Sequence, residues 1–309
     1  MTTRDWLREL GDLVLPGECG GCGAPRGVLC GVCRAALGGT GACRVRPDPE
    51  PPGLPEVHAA ARYADEVRAA LLAHKERGAL ALAGPLGAAL AGAVRAGLRS
   101  ARDSAGPAAH LSGVDRRVDS RAPVLLVPVP SGRRAVRARG HDPARRIALA
   151  AAGELRRCRV AARVLAVLRQ RRTVADQSGL NSRQRMENLA GALAVVRGAA
   201  GLLAGGPVVL VDDLMTTGAS LAEAARAVRA VSSGSAAGPI PNATGTWSVY
   251  GGETWEGREE QNVGSRGERT GRRSGRQENA SVNGVCRGVD VVCAAVVAAP
   301  PDSFEINRN

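Results

Sequence analysis

Between residues 57 and 231, short runs of apolar β-formers alternate with segments of helical periodicity, and no other feature limits the fold as strongly. The runs lie at 124–129, 163–168 and 208–211, and the helical patterns at 65–98, 143–156 and 220–231. Strands such as Val208-Val-Leu-Val211 are apolar at every position, so both faces must be covered. Strands of that kind separated by helices predict an α/β fold with a parallel sheet flanked by helices. A chain of 309 residues that is 44% apolar can bury one such core together with a small appendage.

Composition divides the rest. Residues 1–50 hold five of the eight cysteines and end in the proline-rich stretch Arg46-Pro-Asp-Pro-Glu-Pro-Pro-Gly53, which predicts a small separate module followed by a linker. The helical and strand patterns of the main domain fill 57–231. From 232 to 285 aliphatic periodicity stops, and six arginines balance six glutamates. This stretch is expected to be a disordered insertion. Residues 286–300 contain the apolar run Val289-Asp-Val-Val-Cys-Ala-Ala-Val-Val297, one more strand of the same sheet, and 301–309 read as a polar tail. The net charge of +13 therefore belongs to the folded regions and favours anionic partners, phosphorylated metabolites or nucleic acid alike. Of the 42 basic residues only Lys75 is a lysine.

The opening Met1-Thr-Thr-Arg-Asp-Trp-Leu-Arg-Glu-Leu10 has charges where an export signal needs an apolar core, and it fits a short amphipathic helix. The longest uncharged run, 78–94, contains Pro85 and is rich in Ala and Gly, so it reads as a packed helical segment and not a membrane span. A cytoplasmic location follows as the expectation, and there cysteines serve metals before disulfides. Cys19-x2-Cys22-x7-Cys30-x2-Cys33 offers four thiolates in two knuckles, with Gly20, Gly21, Gly23 and Gly31 allowing tight turns. That spacing favours a closed structural Zn²⁺ site over two disulfides. Cys43, Cys158 and Cys293 lack paired spacing and read as small hydrophobes.

The segment Val208-Val-Leu-Val-Asp-Asp-Leu-Met-Thr-Thr-Gly-Ala-Ser220 runs a buried strand into two carboxylates, a loop of small residues and a helix start. Consecutive amides and the helix N-terminus suit a phosphate, with hydroxyls from Thr216, Thr217 and Ser220 beside the amides of Gly218 and Ala219. Asp212 and Asp213 would repel that phosphate unless they bind sugar hydroxyls or a metal. Ligands in open α/β sheets bind at the carboxyl ends of strands. A second strand end, Val127-Pro-Val-Pro-Ser-Gly-Arg-Arg134, places Ser131, Gly132, Arg133 and Arg134 in a loop suited to a pyrophosphate, with Arg137 and Arg139 following. The competing reading of those arginines is a solvated basic surface. In Gln177-Ser-Gly-Leu-Asn-Ser-Arg-Gln-Arg-Met-Glu-Asn188, Arg185 and Asn188 are helically spaced and can face one ligand. The four histidines show no ligand spacing.

The Asp-Asp-Leu-Met-Thr-Thr-Gly-Ala-Ser run resembles the phosphoribosyl pyrophosphate motif of type I phosphoribosyltransferases. Together with the cysteine knuckles and the two further segments, the chain resembles the ComF family, which is related to competence proteins for DNA uptake, over residues 10–231 and 286–300. The resemblance implies a phosphoribosyltransferase-like sheet and a phosphoribosyl pyrophosphate ligand held with Mg²⁺. Asp212 and Asp213 would hold the ribose hydroxyls, residues 216–220 the 5-phosphate, and the 131–134 loop the pyrophosphate. Lys75, Arg139, Gln177, Arg185 and Asn188 fall where the family carries further site residues. The family reads Arg-Gly-Phe-Asn-Gln where this chain has Arg139-Gly-His-Asp-Pro143. Transfer of the phosphoribosyl group to an acceptor is one implied function. The other is a non-catalytic accessory role with single-stranded DNA or competence helicase proteins.

Overall fold

The computed structural model describes residues 17–25, 27–39, 41–104, 122–172, 181–232, 289 and 291–307. The amphipathic segment at the start, the expected insertion after residue 232 and Gln177 lie outside the described residues. In chain order the helices are α1 Gly31–Gly38, α2 Asp65–Glu76, α3 Ala83–Ser104, α4 Arg133–Arg139, α5 Pro143–Arg157, α6 Ser182–Leu189, α7 Ala200–Leu203 and α8 Ala219–Ser232. The strands are β1 Cys43–Val45, β2 Val57–Arg62, β3 Val124–Pro128, β4 Ala162–Val164, β5 Leu168–Gln170, β6 Leu193–Val195, β7 Val208–Leu214 and β8 Val291–Ala299.

Six strands form one sheet in the order β1-β2-β8-β7-β3-β4, parallel throughout except for the antiparallel edge pair β1–β2. β5 and β6 make a separate antiparallel hairpin. The fold is thus α/β with a mostly parallel sheet flanked by helices. Side chains alternate across the sheet as the pleat requires. Val209 and Val211 join a core layer with Leu71, Leu86, Leu90, Val94, Ile147 and Leu155 from α2, α3 and α5. Val208 and Leu210 face the opposite layer, where Leu221, Ala224, Ala225 and Val228 of α8 meet Leu168 and Leu193 of the hairpin.

α3 with the 3-10 turn before it, residues 80–104, is long and apolar enough to cross a membrane, the one such helix among the described residues. It is the central helix of one sheet face instead. Leu86, Leu90, Val94 and Leu98 are buried there, each stabilising the fold by about 1.5–3 kcal/mol.

Three expectations change. The helix expected over 65–98 is two helices, because Gly78 takes a left-handed φ of 68° and a 3-10 turn at Leu80–Leu82 redirects the chain before α3. The strand expected at 163–168 divides between β4 in the main sheet and β5 in the hairpin, so one apolar run serves two sheets. Residues 301–307 form a 3-10 helix, with the Arg46 amide donating to the Ser303 carbonyl at 2.9 Å and the Arg62 guanidinium over the Phe304 ring. β1 joins the main sheet, and Cys19, Leu29, Cys33 and Leu37 share the core layer of α2 and α3.

Candidate ligand site and metal centre

β3 and β7 are neighbours, with Pro128 opposite Val211 and the Val129 amide donating to the Val211 carbonyl at 2.9 Å. The loops that follow them therefore open at the same sheet edge. β7 continues through both carboxylates to Leu214, because Asp212 pairs with Val296 and Leu214 with Ala298 of β8. The acids are consequently held by a strand ladder and not by a mobile turn. Residues 214–221 then curl around a small cleft that Asp212 also lines, and α8 begins at Ala219. Gly218 is required at the bend: its φ is 74°, and a Cβ there would lie 3.0 Å from Leu54 Cδ2.

Asp213 is buried, and its carboxylate meets Lys75 Nζ at 3.2 Å. The Asp213 amide donates to Asp212 Oδ1 at 2.8 Å. Desolvation, then the adjacent Asp213 charge, hold the Asp212 carboxyl well above the usual carboxylate range against the pull of Lys75. Asp213 in turn raises the Lys75 pKa, outweighing the effect of burial. The ammonium thus pairs with Asp213, while Asp212 beside it holds its proton more tightly than an ordinary carboxyl, and the edge offers carboxyl oxygens to hydroxyls.

Ser131 and Gly132 form the loop after β3, and its position is fixed from α5. Asp142 caps that helix by accepting from the Arg145 amide at 3.2 Å, and its other oxygen accepts from the Ser131 amide at 3.3 Å. Asp142 thus pins the loop while starting the helix. Arg133 and Arg134 are exposed in the first turn of α4. Arg139 is engaged elsewhere, donating to Glu76 through Nε at 3.1 Å and Nη2 at 2.8 Å. That bond ties the end of α4 to α2, one residue from Lys75.

α6 is anchored beside the start of α8, where Met186 and Leu189 pack with Ala219. Arg185 has a buried Nε without a hydrogen-bond partner, and the Asn188 carbonyl accepts from Arg172 at 2.8 Å.

Three other groups here carry no signal of a site in the sequence. His74 and His141 are buried with ring centroids 5.5 Å apart, their Nδ1 atoms at the Ala79 and Arg139 carbonyls. Burial pushes the His74 pKa down. Gln170 of β5 stands against the Ser131–Gly132 loop, its side-chain amide atoms 3.8–3.9 Å from where a Cβ on Gly132 would be. A chemically ordinary residue in a three-residue strand leaves no sequence signal.

The four predicted cysteines converge. Their sulfurs all lie within 4.8 Å of one another, and Cys22 and Cys30 are 3.7 Å apart. Four thiolates ~2.3 Å from a tetrahedral ion stand roughly 3.8 Å from each other, so the cluster fits a metal ion. Burial opposes the Cys19 thiolate, but the amides of Cys22, Cys30 and Gly21 outweigh it and bring the pKa to about 6. Burial and the surrounding sulfurs push Cys33 up, and a bound cation reverses both effects. Gly21 is obligatory, since a Cβ would fall 2.7 Å from Cys33 Sγ.

The chain matches no known protein family by sequence model, and no curated protein is similar to it.

Proposed function

We propose that the carboxyl edge of β3 and β7 binds a phosphoribosyl ligand, phosphoribosyl pyrophosphate or a close relative, in a phosphoribosyltransferase-like fold of the ComF kind. The observation that supports this most is the continuous turn from Asp212 through Ser220. It brings the Asp212 carboxyl within one cleft of the amides and hydroxyls that open α8, with Asp213 next to it on the same strand. The amides and the helix dipole suit a 5-phosphate. Asp212 and Asp213 suit the vicinal ribose hydroxyls. The Ser131–Gly132 loop, with Arg133 and Arg134 beside it, suits the diphosphate, and Mg²⁺ would neutralise that diphosphate at the same edge. Lys75, 3.2 Å from Asp213, fixes that side chain in place.

Chemistry at such a site is transfer of the ribosyl carbon from diphosphate to a nucleophile, helped by negative groups facing positive charge that develops on the ribose. The Cys19, Cys22, Cys30 and Cys33 cluster is a structural Zn²⁺ site in this reading, because four protein ligands leave no open position.

Calorimetry tests the binding claim. With Mg²⁺ present, phosphoribosyl pyrophosphate or ribose 5-phosphate gives saturable heat with the wild-type protein. Changing Asp212→Asn and Asp213→Asn together weakens it, since both carboxyl acceptors are lost and a hydrogen bond is worth roughly 0.5–1.5 kcal/mol, more where the acceptor is charged. No heat from either ligand at millimolar concentration, or equal binding by the double variant, refutes the reading. Release of pyrophosphate with candidate amines and bases reads turnover separately.

A further inference from the structure

A second concavity lies away from this edge. It is a groove of about 440 Å³ between α1 and α3, floored by Ala60 of β2. That volume is in the range of small-molecule sites. On the α3 side Pro85, Ala88, Ala89, Gly92, Arg95 and Arg99 follow one another at helical spacing, a stripe of small residues that ends in two guanidinium groups. Arg34 of α1 faces the same groove across from them. Among the described residues nothing on the stripe is large enough to fill the groove. A Cβ added at Gly38, Gly41 or Gly92 would meet no atom within 4 Å.

Among the described residues no acid pairs with this charge. Arg95 and Arg99 are exposed, lie one turn apart, and form no ion pair among the described residues. Arg34 makes a single long bond to the Leu29 carbonyl at 3.5 Å. Glu56, beside the same end of α3, is already taken. It accepts from Ser100 at 2.6 Å and pairs with Arg44 at 3.4 Å and His58 at 3.3 Å. Like charges one turn apart destabilise a helix, and a pair of guanidinium forks suits one carboxylate, sulfonate or phosphate. The floor offers no side-chain hydrogen-bonding group, so the rest of an occupant must be apolar.

We propose that this groove binds a small molecule with a flat or extended apolar body and one anionic head. The head sits between Arg95 and Arg99, with Arg34 closing the opposite side, and the body lies along Pro85, Ala88, Ala89 and Gly92. This site shares no residue with the Asp212–Ser220 cleft, so it stands or falls independently of the phosphoribosyl reading.

The probe is 8-anilinonaphthalene-1-sulfonate, an aromatic anion, titrated into the full-length protein with fluorescence as the readout. Its neutral counterpart, N-phenyl-1-naphthylamine, serves as comparison. Two variants separate body from head: Gly92→Leu adds bulk on the α3 wall, where a Cβ meets no atom within 4 Å, and Arg95→Gln with Arg99→Gln removes the charge at two exposed positions. Saturable binding of the anion at one site is expected, with about tenfold weaker binding in each variant and about tenfold weaker binding of the neutral probe, the size of losing a charge-assisted hydrogen bond. Thermal melts check that both variants are folded, and the exposed arginine pair remains informative if Gly92→Leu is not. Wild-type affinity in the folded arginine variant, or equal affinity for the neutral probe, overturns the proposal. Displacement of the probe by inorganic phosphate or single-stranded DNA at the same concentration as an apolar anion also overturns it.

Discussion

Removing the Lys75 ammonium is the sharpest test of the acid pair. In Lys75→Met the packing of the side-chain stem is kept, while Asp213, buried and previously 3.2 Å from Nζ, faces Asp212 without a counter-ion. Breaking a fully buried ion pair costs about 3–5 kcal/mol and an exposed one about 0–1 kcal/mol. Lys75 is 33% exposed and Asp213 9%, which puts the expected loss near 2 kcal/mol, or about 4–8 °C in Tm for a domain of this size. The pH dependence identifies the cause. Lys75 has a raised pKa in the fold, so its contribution is constant between pH 5 and 8 and lost only as pH rises through that value. Asp212 has a raised carboxyl pKa, so the folded state binds more protons than the unfolded one and stability falls as pH rises through it. Without Lys75 the acid pair holds its proton to still higher pH, and the gap between variant and wild type widens from pH 5 to pH 8. Thermal melts across that range decide the matter. An unchanged Tm at pH 8, or a gap of the same size at both ends, refutes the account of an acid pair beside one ammonium.

Other outcomes follow from the same structure. Metal analysis of protein prepared without chelators should find one Zn²⁺ per chain, and Cys30→Ser should abolish it and lower Tm, since Cys19 and Cys33 are part of the main core. Gly87→Ala should destabilise by about 1–3 kcal/mol in denaturant melts, because the new Cβ would lie 2.4 Å from Ala150 Cβ where α3 crosses α5. Glu223 is buried, which raises its carboxyl pKa, but bonds from Arg226 and the Leu193 amide outweigh this and lower it. Its stabilisation is therefore present above the ordinary glutamate pKa and lost as pH falls through the lowered one. Glu223→Gln should cost about 1–3 kcal/mol at pH 7, with the deficit shrinking on acidification.

Local chemistry was legible in the sequence. A wholly apolar run such as 208–211 requires cover on both faces, and two knuckles of cysteines at short spacing can close around one ion without help from distant residues. The helix starting at Ala219 and the Pro143 helix were also readable, because their stripes and starts are local. β2 was not. Its Ala59-Ala60-Ala61 core favours helix by intrinsic propensity, and only the ladder to Ala294–Ala299 of β8 makes it a strand. The same tertiary pairing extends β7 through Asp212 and Asp213, whose own preference is for turns. Gly78 was visible as a residue, but whether it would break the 65–98 pattern depended on where α2 and α3 each find their partners in the core.

The site divides along the same line. Which residues have chemistry to offer was set by the 208–220 motif and the cysteine spacing. Which of them meet was decided by packing: Lys75 reaches Asp213 across 138 positions, Arg139 turns to Glu76 instead of the loop, and Asp142 holds Ser131 in place. Such pairings are fixed by elements that never touch in the sequence, and a one-dimensional pattern holds no record of the direction in which a side chain leaves a helix.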